Sequence, residues 1–254
     1  MSEKKEKCLI IAAGLGSRLS SLAPSKPLLE VCGRALIERV VGTAAEAGIR
    51  EFVVVTGHER ERVEAYVDGL AGRTGLRIAT VFNEEWRREN GLSVLKAADL
   101  VGERFLLLMS DHIFSPEIVR RLLAADPGEG GLILAVDRRI GGNPFIDETD
   151  VTKVMVSDGR ILAIGKSLER YNAYDTGAFL CTRGLLESLE LSRQEGDASL
   201  AGGVRKLAAR GKAFALDIGD CFWIDVDDEA ALRKAERALG RAQKPGKPGS
   251  VAGG

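Results

Sequence analysis

The sequence predicts an α/β protein built on a doubly wound, mostly parallel sheet, with an antiparallel β layer added in its second half. Three observations carry this expectation. Short apolar runs alternate with stretches of helical periodicity through the first half, the pattern of strand–helix–strand units. The run FVVVTG, residues 52–57, is continuous, as expected of a strand covered on both faces. Beyond residue 150, two β-like runs meet across Ser157-Asp158-Gly159, a strong hairpin signal.

Taken in order, residues 8–12 form a first strand that runs into a small, glycine-rich loop. Residues 52–57 are a continuous β-branched run, and residues 59–70 follow with apolar positions at helical spacing. A strand over 76–82, a helix over 91–100 and a strand over 105–111 continue the alternation. Pro116 marks a helix start, where the missing N–H costs nothing. The hairpin strands are expected at 151–156 and 160–164, then a strand at 175–182 and a helix at 198–210. Short strands at 214–218 and 221–224 lead to a closing amphipathic helix over 227–240. The stretch 241–254 is rich in Pro, Gly and small residues without period, and reads as a disordered tail or linker.

The 254 residues, 45% of them hydrophobic, suffice for one large domain, expected over residues 1–240. A net charge of −1 argues against a general nucleic-acid binder. No apolar run reaches the roughly 18 residues of a membrane helix. The charged N-terminus enters the first strand without the apolar core and cleavage site of a signal peptide. The four cysteines (Cys8, Cys32, Cys181, Cys221) are scattered, form no C-x-x-C pair and are joined by only two histidines, so neither a zinc cluster nor a disulfide framework is expected. The reducing cytoplasm is the expected compartment.

The most informative stretch is IIAAGLGSRLSSLAPSKPLL, residues 10–29. Glycines let a backbone approach a charged ligand closely, and the exposed N–H groups of such a loop form an anion-binding concavity. Arg18 and Lys26 add two cations beside it. The combination matches a nucleoside triphosphate, placed at the carboxyl end of the first strand, where open α/β sheets bind ligands. It is not a Walker A loop, because no Gly-Lys-Ser/Thr follows. It is not a dinucleotide fingerprint either, because Leu19 stands where the third glycine is required.

The pattern A-A-G-x-G-S-R followed by S-K-P-L resembles the signature of the sugar-phosphate nucleotidyltransferase family, which joins a phosphorylated small molecule to an NTP and releases pyrophosphate. The resemblance covers roughly residues 7–240 and implies a Rossmann-like nucleotidyltransferase fold, with a nucleotide half to about residue 115 and an acceptor half beyond it. It implies nucleotide contacts from Ala12, Ala13, Gly14, Gly16, Ser17, Arg18 and Lys26, with Arg18 and Lys26 stabilising the departing pyrophosphate. It also implies Mg²⁺ held by Asp111, after the strand run FLLLMS, and Asp225, after CFWI. Oxygen donors of this kind suit magnesium, with substrate phosphates completing the shell. Asp227 reads instead as an N-cap for the last helix, and His112 as a residue that shapes the pocket. Asn90, Gly91 and Ser93 are candidates for the base and ribose pocket, although Asn90 and Gly91 equally suit a helix cap and a turn. Trp86 and Trp223 read as packing residues. Lys153, Lys166 and Asp175, at strand ends, suit a phosphorylated polyol, with cations for the phosphate and an acceptor for hydroxyls.

Within the family, NEEWRRENGLSVLKA, DVTKVMV, GRILAIGKSL and NAYDTGAF are most similar to the CTP:inositol-1-phosphate cytidylyltransferases. The reaction this implies joins CTP to L-myo-inositol 1-phosphate, giving CDP-inositol and pyrophosphate. A phosphate monoester, with a second pKa of about 6, is already largely dianionic at pH 7, so no activating base is needed. Partners implied are CTP, the phosphorylated polyol, a CDP-alcohol phosphotransferase fused or separate, and a second copy of the chain as a homodimer. Two rival readings remain at this stage. One is the same chemistry on another pair, phosphocholine with CTP or a hexose 1-phosphate with UTP, dTTP or GTP. A phosphocholine site needs aromatics around the ammonium, and only 5% of residues are aromatic. The other is a non-catalytic nucleotide-binding subunit, which would lack the metal ligands or the loop cations.

Overall fold

A computed structural model describes residues 6–242. Its strands are β1 (Lys7–Ala12), β2 (Glu30–Val31), β3 (Arg34–Ala35), β4 (Glu51–Thr56), β5 (Arg77–Phe82), β6 (Arg104–Met109), β7 (His112–Phe114), β8 (Leu132–Asp137), β9 (Lys153–Ser157), β10 (Arg160–Gly165), β11 (Ala173–Thr182), β12 (Ala213–Asp217) and β13 (Trp223–Asp225). The helices are α1 (Leu36–Glu46), α2 (Arg60–Thr74), α3 (Gly91–Lys96), α4 (Pro116–Ala124), α5 (Arg183–Gln194), α6 (Leu200–Ala209) and α7 (Glu229–Ala242).

Nine strands form one sheet in the order β5-β4-β1-β6-β11-β8-β12-β10-β9. The first four are parallel neighbours; β1, β4 and β6 are buried apolar runs covered on both faces, while β5 at the edge is half-buried to exposed. The expected antiparallel addition is present and extends this sheet: β11 runs antiparallel to β6, β8 and β9, and β10 to β12 and β9. Asp158 and Gly159 turn the β9–β10 hairpin with φ of 49° and 74°, the left-handed pair that Asp-Gly favours. Apolar side chains cover both sheet faces in two extended clusters, one including Ile10, Phe52 and Leu106, the other Leu9, Phe105 and Phe179.

A third cluster positions the site. Leu19 from the glycine-rich loop, Val31, Leu36, Ile113, Ile224, Val226 and Ala235 pack together, so the loop rests on the β7–β13 ladder and α7. That two-stranded ladder pairs Asp225 with His112, and the Val226 N–H donates to the Asp111 carbonyl at 3.0 Å. Asp111 and Asp225, 114 residues apart in sequence, are thereby set side by side.

Several boundaries differ from expectation for local reasons. α3 ends at Lys96 and the chain turns over 97–100. The strand expected at 221–224 is β13, displaced to Trp223–Asp225 by its pairing with β7. α7 begins at Glu229 and not at 227, because Asp228 Oδ1 accepts from the Ala231 N–H at 2.7 Å and takes the capping role. The α7 backbone runs to Ala242, and the rest of the tail expected at 241–254 lies outside the described residues.

Candidate active site

The chain leaves β1 through Gly14, Gly16 and Ser17, makes a short 3-10 turn and reaches Lys26 at the start of a second such turn. Gly16 has φ of 62°, and a Cβ there would collide with the Lys26 stem. Only glycine lets the loop cross over the lysine this closely. Lys26 is 8% exposed, and its ammonium extends into a cluster of carboxylates.

Lys26 Nζ donates to Asp111 Oδ2 at 2.6 Å and to Asp227 Oδ1, and lies 3.8 Å from Asp225 Oδ1. Arg18 Nη2 donates to Asp227 Oδ2 at 2.7 Å and to Asp150 Oδ2 at 2.6 Å. Asp150 also pairs with Lys166. His112 Nδ1 is 2.8 Å from Asp111 Oδ1 and 3.7 Å from Asp225 Oδ1. Two adjoining cavities open here. The smaller, of about 280 Å³, is lined by Gly14, Gly16, Ser17, Lys26 and Ser110. The larger, of about 840 Å³, is lined by Asp150, Thr152, Lys166, Asp175 and Asp225. Arg18, Asn90, Met109, Asp111 and Asp227 border both.

Burial works against the Lys26 ammonium, but Asp111, Asp225 and Asp227 outweigh it and hold its pKa above the ordinary lysine range. Burial would likewise raise Asp111, yet Lys26 and His112 keep it far below the usual carboxylate range. Asp225 moves the opposite way: burial and the neighbouring Asp111 and Asp227 push it up, against His112 and Lys26. The His112 imidazole, despite burial, is raised to about 9 by Asp225 and Asp111. Asp225 is thus the least well matched carboxylate of the cluster, with its Oδ1 3.8 Å from Lys26 Nζ and 3.7 Å from His112 Nδ1, beyond hydrogen-bond reach.

That unmatched carboxylate fits a divalent cation. Among the described residues, Asp111, His112 and Asp225 are the group whose ligand atoms lie within 4.8 Å of one another. Asp225 Oδ1 is shielded from solvent and accepts no hydrogen bond, an orphaned carboxylate oxygen that a metal would satisfy. Two carboxylates offer the hard oxygen donors that Mg²⁺ takes.

The structure sorts the residues expected from sequence. Gly14, Gly16, Ser17, Arg18, Lys26, Asn90, Asp111, Asp225, Lys166 and Asp175 all border the cavities. Asp175 is placed by a β-bulge in β11 and accepts from the Gly177 N–H at 2.8 Å. Burial pushes its pKa up to about 6, against that N–H and His112. Ala12 and Ala13 turn their side chains into the core, and the Ala13 carbonyl accepts from His58 N–H at 3.0 Å, so neither offers a ligand its side chain. Four expectations need correction. Gly91 abuts the Ala198 carbonyl and Leu189 rather than a cavity. Ser93, 3% exposed, is hydrogen bonded to Asn83 at 3.0 Å. Lys153 places its ammonium 5.2 Å from the Tyr171 ring centroid and lines neither cavity. Asn90 does not cap α3 with its side chain; its Oδ1 accepts from Leu200 N–H at 2.9 Å and ties α3 to α6.

Two functional-looking carboxylates were missed. Asp227 was read as a cap, and an Asp-Asp-Glu run at a helix start looks the same for either role. Asp150 lies in GGNPFIDETD, an acidic loop whose density of charge was the available signal.

Comparison with known proteins shows the family and the fold. The profile of the MobA-like NTP transferase domain matches residues 8–157. The chain is 39% identical over 234 residues to the "Bifunctional IPC transferase and DIPP synthase" of Rubrobacter xylanophilus, covering 91% of this chain and 51% of that protein. It is 31% identical over 236 residues to the protein of the same description from Aquifex aeolicus, covering 92% and 52%. The chain therefore spans about half the length of these curated relatives. Among solved structures, the inositol-1-phosphate CTP transferase from T. maritima superposes with a TM-score of 0.83 at 24% identity, over 96% of this chain and 98% of that one, which establishes the common fold.

Proposed function

This chain belongs to the MobA-like NTP transferase family, and on that premise we propose that it transfers a cytidylyl group from CTP to L-myo-inositol 1-phosphate, releasing pyrophosphate. The observation that carries the reading is the convergence of Arg18 and Lys26 with Asp111 and Asp225 beside a glycine loop. The choice of substrates is supported by relatives described as IPC transferases and by the fold shared with an inositol-1-phosphate CTP transferase.

In this reading the triphosphate lies in the smaller cavity, against the backbone of Gly14, Gly16 and Ser17. Arg18 and Lys26 contact its β- and γ-phosphates and stabilise the charge that develops on pyrophosphate. Both cations now share Asp227, so the triphosphate takes over from that carboxylate as their counter-ion. Asp111 and Asp225 would hold Mg²⁺, which supplies neutralisation of the phosphate charge when bound. The polyol phosphate occupies the larger cavity, with Lys166 for its phosphate and Asp175 for a hydroxyl. Its dianion attacks the α-phosphorus directly, so the protein's task is alignment and charge stabilisation rather than proton abstraction.

Among the described residues no helix is long and apolar enough to cross a membrane. We place the reaction in the cytoplasm, and a CDP-alcohol phosphotransferase, fused or separate, would consume the product. The test is pyrophosphate release from CTP. It should require inositol 1-phosphate and stop on addition of EDTA; release that ignores the acceptor contradicts the assignment.

A further inference from the structure

We propose that Asp137, buried away from both cavities, is a positioning residue that sets the strand bearing Asp225 and the loop bearing Asp150 in one fixed relation. The inference rests on the function proposed above only for the meaning of those two elements; the geometry is independent of it.

Asp137 ends β8 and is fully buried. An ionised carboxylate in such a place is costly unless every lone pair is used. Here five donors use them. Oδ1 accepts from the Arg139 backbone N–H and from Arg139 Nε, both at 2.9 Å. Oδ2 accepts from Arg139 Nη2, Asn143 Nδ2 and Trp223 Nε1, each at 2.8 Å.

Two arms leave this carboxylate. The first runs to β13. Trp223 is held by its indole N–H, and Arg139 Nη2 donates to the Cys221 carbonyl at 3.0 Å, so the strand is gripped at two points just before Asp225. The Trp223 ring lies 6.0 Å from the His112 ring at an interplanar angle of 15°, and His112 in turn meets Asp111. The second arm runs through Asn143, whose Oδ1 also accepts from the Phe145 N–H at 3.0 Å and so turns the loop between β8 and β9. That loop delivers Asp150 to Arg18 and Lys166. Both arms end on the same oxygen, so neither the strand nor the loop can shift alone without losing a bond to a buried charge. Asparagine substitutes only in part, because its one acceptor oxygen can keep Trp223 and Asn143 while its NH₂ group faces the Arg139 donors on the other side.

The arms separate by mutation. Trp223→Phe keeps a ring against His112 but removes the indole donor; Asn143→Ala cuts only the loop; Asp137→Leu removes the acceptor of both. Two substrate-free readouts follow the arms: Mn²⁺ binding by EPR, and hydrogen exchange over residues 139–151. Loss of an outer partner of a metal ligand typically costs ~10–100-fold in affinity. Trp223→Phe should therefore weaken Mn²⁺ binding about tenfold and leave exchange in the loop unchanged. Asn143→Ala should speed exchange in the loop and leave Mn²⁺ binding within about twofold. Asp137→Leu should do both, and if it fails to fold the two single-arm variants decide. Equal effects of Trp223→Phe and Asn143→Ala on both readouts, or no effect of either, overturn the proposal. Since neither readout involves substrate, failure of the cytidylyltransferase reading would show separately, as wild-type protein that binds Mn²⁺ but releases no pyrophosphate.

Discussion

Replacing Lys26 by methionine would leave Asp111, Asp225 and Asp227 facing one another without their shared cation, while keeping the volume of the buried stem. At an effective dielectric constant near 20, opposite unit charges ~4 Å apart attract by about 4 kcal/mol before desolvation is subtracted. Removing one partner of a fully buried pair costs roughly 3–5 kcal/mol. The three carboxylates, however, are 26–36% exposed, and water screens what the lysine no longer offsets. We therefore expect a loss of about 2 kcal/mol, a fall in Tm of roughly 4–8 °C for a chain of this size. Thermal unfolding followed by fluorescence reads this directly. Magnesium sharpens the test: a divalent ion beside Asp111 and Asp225 replaces the missing charge, so it should raise the Tm of Lys26→Met by more than that of the wild type. With magnesium saturating, turnover should still fall by ~10²–10³, because magnesium does not supply the contact to departing pyrophosphate. A variant with wild-type Tm and wild-type turnover, or one stabilised by magnesium no more than the parent, would refute the electrostatic account.

Asp227→Asn removes the resident counter-ion of Arg18 and Lys26, and should lower the KM for CTP by about twofold to fivefold, on the scale of a partly exposed ion pair; initial-rate kinetics showing an unchanged or higher KM contradict the exchange of Asp227 for phosphate. Gly16→Ala forces a side chain into left-handed backbone and against the Lys26 stem, costing about 1–2 kcal/mol by urea unfolding and reducing turnover at least as much as it reduces binding. Asp137 has its pKa held below the ordinary carboxylate range, since burial is outweighed by Arg139, Asn143 and Trp223. Its folded pKa being depressed, the stability it contributes is present above the unfolded value of about 3.9 and is lost as the pH falls through the folded one. Asp137→Asn should thus be clearly less stable than wild type at pH 7, with the gap narrowing below about pH 4; a gap constant across that range would contradict the assignment.

Local physics made much of this architecture readable. β1 and β4 are continuous apolar runs because both faces are covered, and the hairpin at Asp158-Gly159 follows from two left-handed residues. The glycine loop was legible because its glycines and cations fall within a dozen residues or so of one another; that Gly16 also makes room for the Lys26 stem is visible only in the structure. The corrected residues had no such mark. Ser93 looks like a ligand-binding serine in sequence, and only the neighbouring Asn83, brought close by the end of β5, shows it to be occupied. Gly91 is small to admit α5 and the segment leading into α6 rather than a nucleotide. Asp227 and Asp150 meet Lys26 and Arg18 across 201 and 132 residues, and such pairings are set by the β7–β13 ladder and the Asp137 network, not by spacing along the chain. Polar residues at helix starts remain ambiguous in the same way, as Asp227 and Asp228 illustrate: one meets the cations, its neighbour caps the helix.

The most direct test of the account is a matrix of nucleoside triphosphates against phosphorylated acceptors, read by pyrophosphate release in the presence of magnesium. The account predicts the highest kcat/KM for CTP with L-myo-inositol 1-phosphate, and silence when either is omitted. A maximum at a hexose 1-phosphate with UTP, dTTP or GTP, or tight triphosphate binding with no turnover on any acceptor, would contradict it.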